Sequence, residues 1–267
     1  IKKIKETMTI LDQIIKTKKI ELNYSKENTS ILDLEKFPFF NRSIISLSNS
    51  IKNSDHGIIA EHKRKSPSKS IINDSTPIQQ VIRGYDNSGA SGISVLTDKK
   101  YFGGTLDDLI KTRNETNIPI LRKDFIIDEY QIIETKAQGG DAILLIAACL
   151  SEKEIKKLSE FAKSIDLEVL TEIHNLEELK GCLIDSVDII GINNRNLKTF
   201  EVDIKTSKSL IKYIPNDFIK ISESGLSSHI ELEELKEFGF DGFLMGESFM
   251  KQKDPGLELL NFINKLK

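Results

Sequence analysis

The chain has 267 residues, 39% of them hydrophobic and 30% charged, and a formal net charge of −3 from 38 basic and 41 acidic side chains. This composition suits a globular protein with a sizeable core, and its near-balanced charge carries no electrostatic footprint for nucleic acid or an anionic membrane. The longest purely apolar stretch, "AILLIAACL", is far too short to span a bilayer.

The chain opens with "IKKIKETMTILDQI", where Lys and Glu alternate with aliphatic residues, so the uninterrupted apolar run of a signal peptide is missing. Residues 1–48 read as a helical extension, with Ile10, Leu11, Ile14 and Ile15 recurring at helical spacing, followed by Ile20 and Leu22. A helix packed on the protein is expected there, rather than one lying on a membrane surface. From residue 57 the texture changes to short apolar runs alternating with amphipathic segments. The runs "GIIAEHK", "GISVLT", "IPILRK", "DAILLIA", "LEVLTEI", "VDIIGIN", "FIKISES" and "DGFLMG" predict eight strands. Helices are predicted around 77–88, 105–115, 128–138, 151–164, 175–181, 203–212, 227–238 and 255–266. Ser151 with Glu154 forms a capping box, and Gly139, Gly181 and Gly239 stand where C-terminal glycines end helices.

Strands alternating with helices pair in parallel, and eight such units predict a closed α/β barrel, the (β/α)₈ TIM barrel, over residues 57–267. The alternative, a doubly wound open sheet, is disfavoured because no GxGxxG follows the first strand. No linker divides the chain, so one domain is expected over 1–267. There is no room for a second barrel of this size, which points to a monofunctional chain. The two cysteines, Cys149 and Cys182, form no CxxC, and the four histidines form no HExxH or Cys/His cluster. A reducing cytoplasm is therefore the default, and no metal site is expected.

The active site of such a barrel lies at the C-terminal ends of its strands. There the first strand carries Glu61, His62, Lys63 and Arg64, and the third carries Arg122, Lys123 and Asp124. The fifth ends in Glu172, the sixth in Asn193, Asn194 and Arg195, the seventh in Glu223, Ser224 and Gly225, and the eighth in Gly246, Glu247 and Ser248. Side chains alternate along a strand, so Glu61 shares a face with Lys63, and Lys123 one with Leu121. If those faces point inward, Lys63, Lys123 and Arg195 meet Glu61, Glu172 and Glu223 in a balanced set with coupled titrations. Arg122 then points toward the helices. The glycine-bearing ends of the last two strands suit a phosphate site, with "ESFM" as a short extra helix. His62 reads as a packed histidine and Cys149 as a small space-filling group; His174, two residues beyond Glu172, reads as a loop residue, with a place behind Glu172 as the alternative.

The stretches "IIAEHKRKSPSK", "SVLTDKKYFGGTLDDL", "PILRKDFIIDEYQI", "LTEIHNLEEL", "IIGINNRNL", "ISESGL" and "FLMGESFM" resemble the indole-3-glycerol phosphate synthase family, in order along essentially the whole chain. The resemblance implies a carboxy-lyase of tryptophan biosynthesis. Its substrate would be 1-(2-carboxyphenylamino)-1-deoxyribulose 5-phosphate, converted without cofactor or metal. It implies Lys123 as general acid and Glu172 as base, with Lys63 contacting the substrate carboxylate. The split of acid and base roles between Lys63 and Lys123 stays open. Glu61 and Asn193 would position the substrate, Glu223 and Ser224 would be active-site polar residues, and Arg195 would lie near the anthranilate carboxylate. Ser66, Gly225, Gly246 and the backbone of Glu247 would belong to the phosphate region. The N-terminal extension would help to cover the substrate. Departures from the family pattern fall at His62, Ser70 and Glu247, the last adding a negative charge beside the phosphate. The expected partner is a phosphorylated small molecule, with no nucleic acid and no membrane; a monomer is possible. An isomerase of the same barrel type leaves "KRKSPSK" and the N-terminal helices unexplained. A non-catalytic scaffold would be expected to have lost one of Lys63, Lys123 and Glu172.

Overall fold

The computed structural model describes residues 9–197 and 199–266; the start of the expected helical extension, residues 1–8, lies outside the described residues. The extension forms α1 (Ile10–Asn28), α2 (Ile31–Leu34) and α3 (Leu47–Lys52). The helical pattern read to residue 48 is interrupted, because residues 35–42 run as turns and bends and 43–46 have no regular structure. Pro38 cannot donate to a helix and stops the run. Phe37 and Phe40 pack instead on the cluster of Leu22, Leu34 and Tyr130. A capping box between Thr9 and Asp12 starts α1.

The barrel follows as β1 (Ile58–His62), α4 (Ile78–Asn87), β2 (Gly92–Leu96), α5 (Lys99–Phe102), α6 (Leu106–Glu115), β3 (Ile120–Lys123), α7 (Glu129–Ala137), β4 (Ala142–Ile146), α8 (Glu152–Ser164), β5 (Glu168–Ile173), α9 (Leu176–Lys180), β6 (Ile189–Asn193), α10 (Lys205–Leu210), β7 (Ile219–Glu223), α11 (His229–Glu237), β8 (Gly242–Met245), α12 (Glu247–Met250) and α13 (Pro255–Ile263). Each strand pairs in parallel with the next, and β8 closes on β1. The fold is a (β/α)₈ barrel with an N-terminal helical extension, and the expected strands stand within two residues of their places. The four-residue α5, after β2, was not expected; it is too short to carry a periodic signature.

Strand alternation separates two apolar layers. Ile59, Leu121, Leu144, Leu170, Ile189, Ile221 and Leu244 fill the barrel interior, while Ile58, Ala60, Ile143, Val169, Ile192 and Phe243 face the helices. Leu47 and Ile51 of α3 join the interior cluster and plug its N-terminal end. Gly92 admits the plug, since a Cβ there would stand 2.6 Å from Leu47 Cδ1. Glu168, at the start of β5, holds α3 by accepting from Ser46 Oγ at 2.6 Å and Ser48 N at 2.9 Å. With one end plugged, the other is left for chemistry.

The Ser151–Glu154 capping box starts α8 as expected. Gly139 and Gly239 follow α7 and α11 at φ +90° and +100°, where glycine is favoured. Gly181 differs, with a right-handed φ of −76°. Its Cβ position lies 2.4 Å from the Glu152 side chain, so glycine there makes room instead of turning the chain. No described helix is long and apolar enough to cross a membrane.

Candidate active site

A cavity of about 410 Å³ opens at the C-terminal ends of the strands. Leu144, Ile146 and Leu244 line it from inside the barrel, Phe102 comes from α5 and Phe125 from the loop after β3, and Ile10, Leu11 and Ile14 of α1 lie over it. All twelve site residues expected from the strand ends and the family resemblance line this cavity: Glu61, Lys63, Ser66, Lys123, Glu172, Asn193, Arg195, Glu223, Ser224, Gly225, Gly246 and Glu247.

The charged set resolves into two groups. Lys123 Nζ lies 2.9 Å from Glu172 Oε2 and 2.5 Å from Glu223 Oε2, and none of the three side chains is more than 12% exposed. Lys63 Nζ lies 2.5 Å from Glu61 Oε1. Arg195 departs from the expected set, since among the described residues it pairs with no carboxylate. It stands beyond the end of β6, where it bridges to Val202 and donates through Nη1 to the Phe200 carbonyl at 3.2 Å. That folded-back loop carries Arg195 away from the glutamates and holds it beside the cavity.

Burial opposes the charge on Lys123, but the carboxylates of Glu172, Glu223 and Glu61 outweigh it and hold the lysine protonated above its ordinary range. Burial would also raise Glu172. Lys123 and then His174 overcome this and lower its pKa to about 2, with Asn193 Nδ2 donating to Oε1 at 3.0 Å. Glu223 goes the other way. Burial, opposed by Lys123 and reinforced by Glu172 and Glu61, lifts it to about 7. Two carboxylates on one ammonium are thus pushed apart, the pattern that sorts proton donors from acceptors in active sites.

Small residues make this crowding possible. A Cβ on Gly191 would come within 2.3 Å of Glu223 Oε1, and one on Gly246 within 2.7 Å of Glu61 Cβ. After β7, Ser224 and Gly225 take consecutive left-handed φ values of +67° and +76°. Strain at a non-glycine residue is typical of functional loops. The Ser224 carbonyl accepts from Asn194 Nδ2 at 3.1 Å. Next to it Gly246 caps α12, whose first amides have no intrahelical acceptor.

Arg122 faces the helices, as alternation requires, and pairs with Asp124 and Glu134. Asp124 in turn binds Lys18 of α1 at 3.0 Å, as does Asp98. The extension is therefore docked by a buried ion network beside the strand that carries Lys123. His62 is packed and 1% exposed; burial and then Arg64 lower its pKa to about 4. Ser70 adopts no left-handed conformation, so its loop needs no glycine there.

One feature went unread in the sequence. The Glu247 carboxylate is held by Lys69 and by Lys251, the latter at 2.6 Å. Burial would raise its pKa, but these lysines lower it to about 2. The i, i+4 spacing of Glu247 and Lys251 was a usable signal, whereas Lys69 is 178 residues away. His174 lies in the loop after β5, as expected, and its ring also takes the alternative place behind Glu172, with Nε2 3.4 Å from Glu172 Oε1.

The family model for indole-3-glycerol phosphate synthase matches residues 11–262. The indole-3-glycerol phosphate synthase of Bacteroides thetaiotaomicron is 44% identical over 257 residues, covering 96% of this chain and 98% of that protein. The Aliarcobacter butzleri protein of the same name is 44% identical over 261 residues, covering 96% and 99%. Among solved structures, a mutant tryptophan synthase α-subunit from Pyrococcus furiosus shares the fold, with a TM-score of 0.59 at 17% identity over 79% of this chain and 97% of that one. A match over nearly the whole barrel settles the family: the chain belongs to the indole-3-glycerol phosphate synthase family, whose members are carboxy-lyases of tryptophan biosynthesis.

Proposed function

We propose that the chain converts 1-(2-carboxyphenylamino)-1-deoxyribulose 5-phosphate into indole-3-glycerol phosphate, CO₂ and water. The observation that carries this reading is the Lys123 ammonium, gripped by Glu172 and Glu223 at the cavity wall. An acid that must protonate a carbonyl oxygen has to stay protonated in a dry site, and the two carboxylates achieve that.

Lys123 donates to the ribulose carbonyl oxygen as the aromatic carbon bearing the carboxylate attacks the carbonyl carbon. The new ring then loses CO₂ and regains aromaticity. Protonation of the new hydroxyl and removal of a ring-methylene proton by Glu172 expel water. Asn193, donating to Glu172 Oε1 at 3.0 Å, keeps that carboxylate aimed. Glu61 orients Lys63 toward the substrate carboxylate, and Arg195 serves the same group from the β6 loop. Glu223 shares the Lys123 proton, while Ser66, Ser224, Gly225, Gly246 and the Glu247 amide receive the phosphate. No step calls for a cofactor.

Purified protein incubated with the carboxyphenylamino substrate should generate indole fluorescence. Folded protein with no turnover would refute the assignment.

A further inference from the structure

His174 occupies a position that the proposed reaction has not yet used. It directly follows β5, the strand that carries Glu172. Glu178 Oε2 on α9 accepts from the His174 backbone N–H at 2.7 Å and stands 3.1 Å from Nδ1, so one oxygen fixes both main chain and ring. Asn175 locks Glu178 in turn, donating to its Oε1 at 2.7 Å. The other ring nitrogen, Nε2, is shut off from solvent and has no hydrogen-bond partner among the described residues; it faces Glu172 Oε1 at 3.4 Å. His174 does not line the cavity.

Proton balance gives this geometry a purpose. In the proposed reaction the carbonyl oxygen takes up two protons, first becoming a hydroxyl and then water, and one proton returns from the ring methylene. The substrate carboxylate leaves as neutral CO₂. Each turnover therefore consumes one proton, and the buried set of Lys123, Glu172 and Glu223 ends one proton short.

We propose that His174 is a positioning residue that acts through Glu172, holding on Nε2 the proton consumed in each turnover and supplying it to the Lys123–Glu172 pair. The inference rests on the reaction proposed above. The imidazolium gives its Nε2 proton to Glu172 Oε1, and Glu172 hands it on to the neutral Lys123 amine 2.9 Å from its Oε2. Neutral His174 keeps its Nδ1 proton against Glu178 and regains the Nε2 proton by the reverse route, from Glu172, which lines the cavity, once product leaves and water enters.

The groups facing His174 favour its charged form. Glu178 comes from α9, Glu172 from its own strand and Glu223 from β7. Together they outweigh burial and raise the histidine above its ordinary range. Lys123, from β3, is neutralised by two of these carboxylates. The Cys149 thiol, in the turn packed against β5 and α9, feels Glu172 and Glu178 too, but burial pushes its own pKa well up and keeps it neutral.

The test uses the full chain, with His174→Ala and His174→Gln measured beside the parent. Both variants should lose at least about tenfold in kcat with KM within about twofold. The parent's kcat should fall as pH rises through the histidine titration, and that limb should vanish in His174→Gln. Added imidazole should restore His174→Ala in proportion to its imidazolium fraction, which a merely structural role would not produce. Parent-like kcat in both variants, or losses indifferent to imidazole and pH, would overturn the relay. Absence of turnover by the parent would instead overturn the reaction itself, and the relay with it.

Discussion

Replacing Lys123 by methionine keeps the length of the side chain and removes its charge. Its Nζ lies 2.9 Å from Glu172 and 2.5 Å from Glu223, both almost fully buried. At an effective dielectric of about 20, each contact is worth about 6–7 kcal/mol of attraction before desolvation is subtracted. Breaking a buried pair by removing one partner costs about 3–5 kcal/mol net, because the remaining charge is left uncompensated. Lys123→Met leaves two such carboxylates, and proton binding is their way out. Glu223, already lifted to about 7 with the lysine in place, must rise further without it.

A carboxyl whose folded pKa exceeds its unfolded value destabilises the fold progressively as pH climbs from the unfolded value through the folded one. The Lys123→Met penalty should therefore be about 1 kcal/mol near pH 5 and about 3 kcal/mol or more near pH 8. At the higher pH that corresponds to a Tm lower by roughly 6–12 °C. Loss of the general acid should cut kcat by about 10²–10⁴-fold. Thermal melts at both pH values and steady-state kinetics would check this. A Tm difference that does not change with pH, or a kcat within tenfold of the parent, would refute the reasoning.

Further expectations concern the rim. Glu247→Gln frees Lys69 and Lys251 for an incoming phosphate, so inhibition by inorganic phosphate should tighten by about tenfold. With its pKa lowered to about 2, Glu247 is ionised throughout the neutral range, so this gain should be flat with pH; weaker phosphate binding would mean that Glu247 positions the lysines rather than competing for them. Lys18→Met strips Asp98 and Asp124 of a shared cation and should lower stability by about 3 kcal/mol. It should also raise KM, since α1 carries Ile10 and Leu11 over the cavity; an unchanged melt would show that the ion network does not hold the extension. Gly246→Ala drives a methyl group to 2.7 Å from Glu61 Cβ and 2.9 Å from its carbonyl oxygen. It should reduce kcat/KM by at least tenfold, and parent-like kinetics would show that the β1–β8 seam yields more easily than its geometry implies.

Much of this molecule is written in local pattern. The short apolar runs and the helices between them define eight strand–helix units, and parallel pairing follows from the connections. Alternation within a strand places Lys123 on the Leu121 face and Arg122 on the other, because successive side chains must point to opposite sides. What local pattern cannot specify is the partner across the barrel. Strand stagger, not residue type, gives Lys123 both Glu172 and Glu223, whereas Lys63 and Glu61, two residues apart, meet by local alternation. A folded-back loop takes Arg195 out of that set, though its sequence reads only as a charged strand end. Lys69 reaches Glu247 from 178 residues away. The His174 ring turns toward Glu172 because Glu178, one helical turn further on, pins it from behind. The sequence determined which groups arrive at the rim; barrel closure and loop packing decided which of them touch, since both depend on distances between segments far apart in the chain.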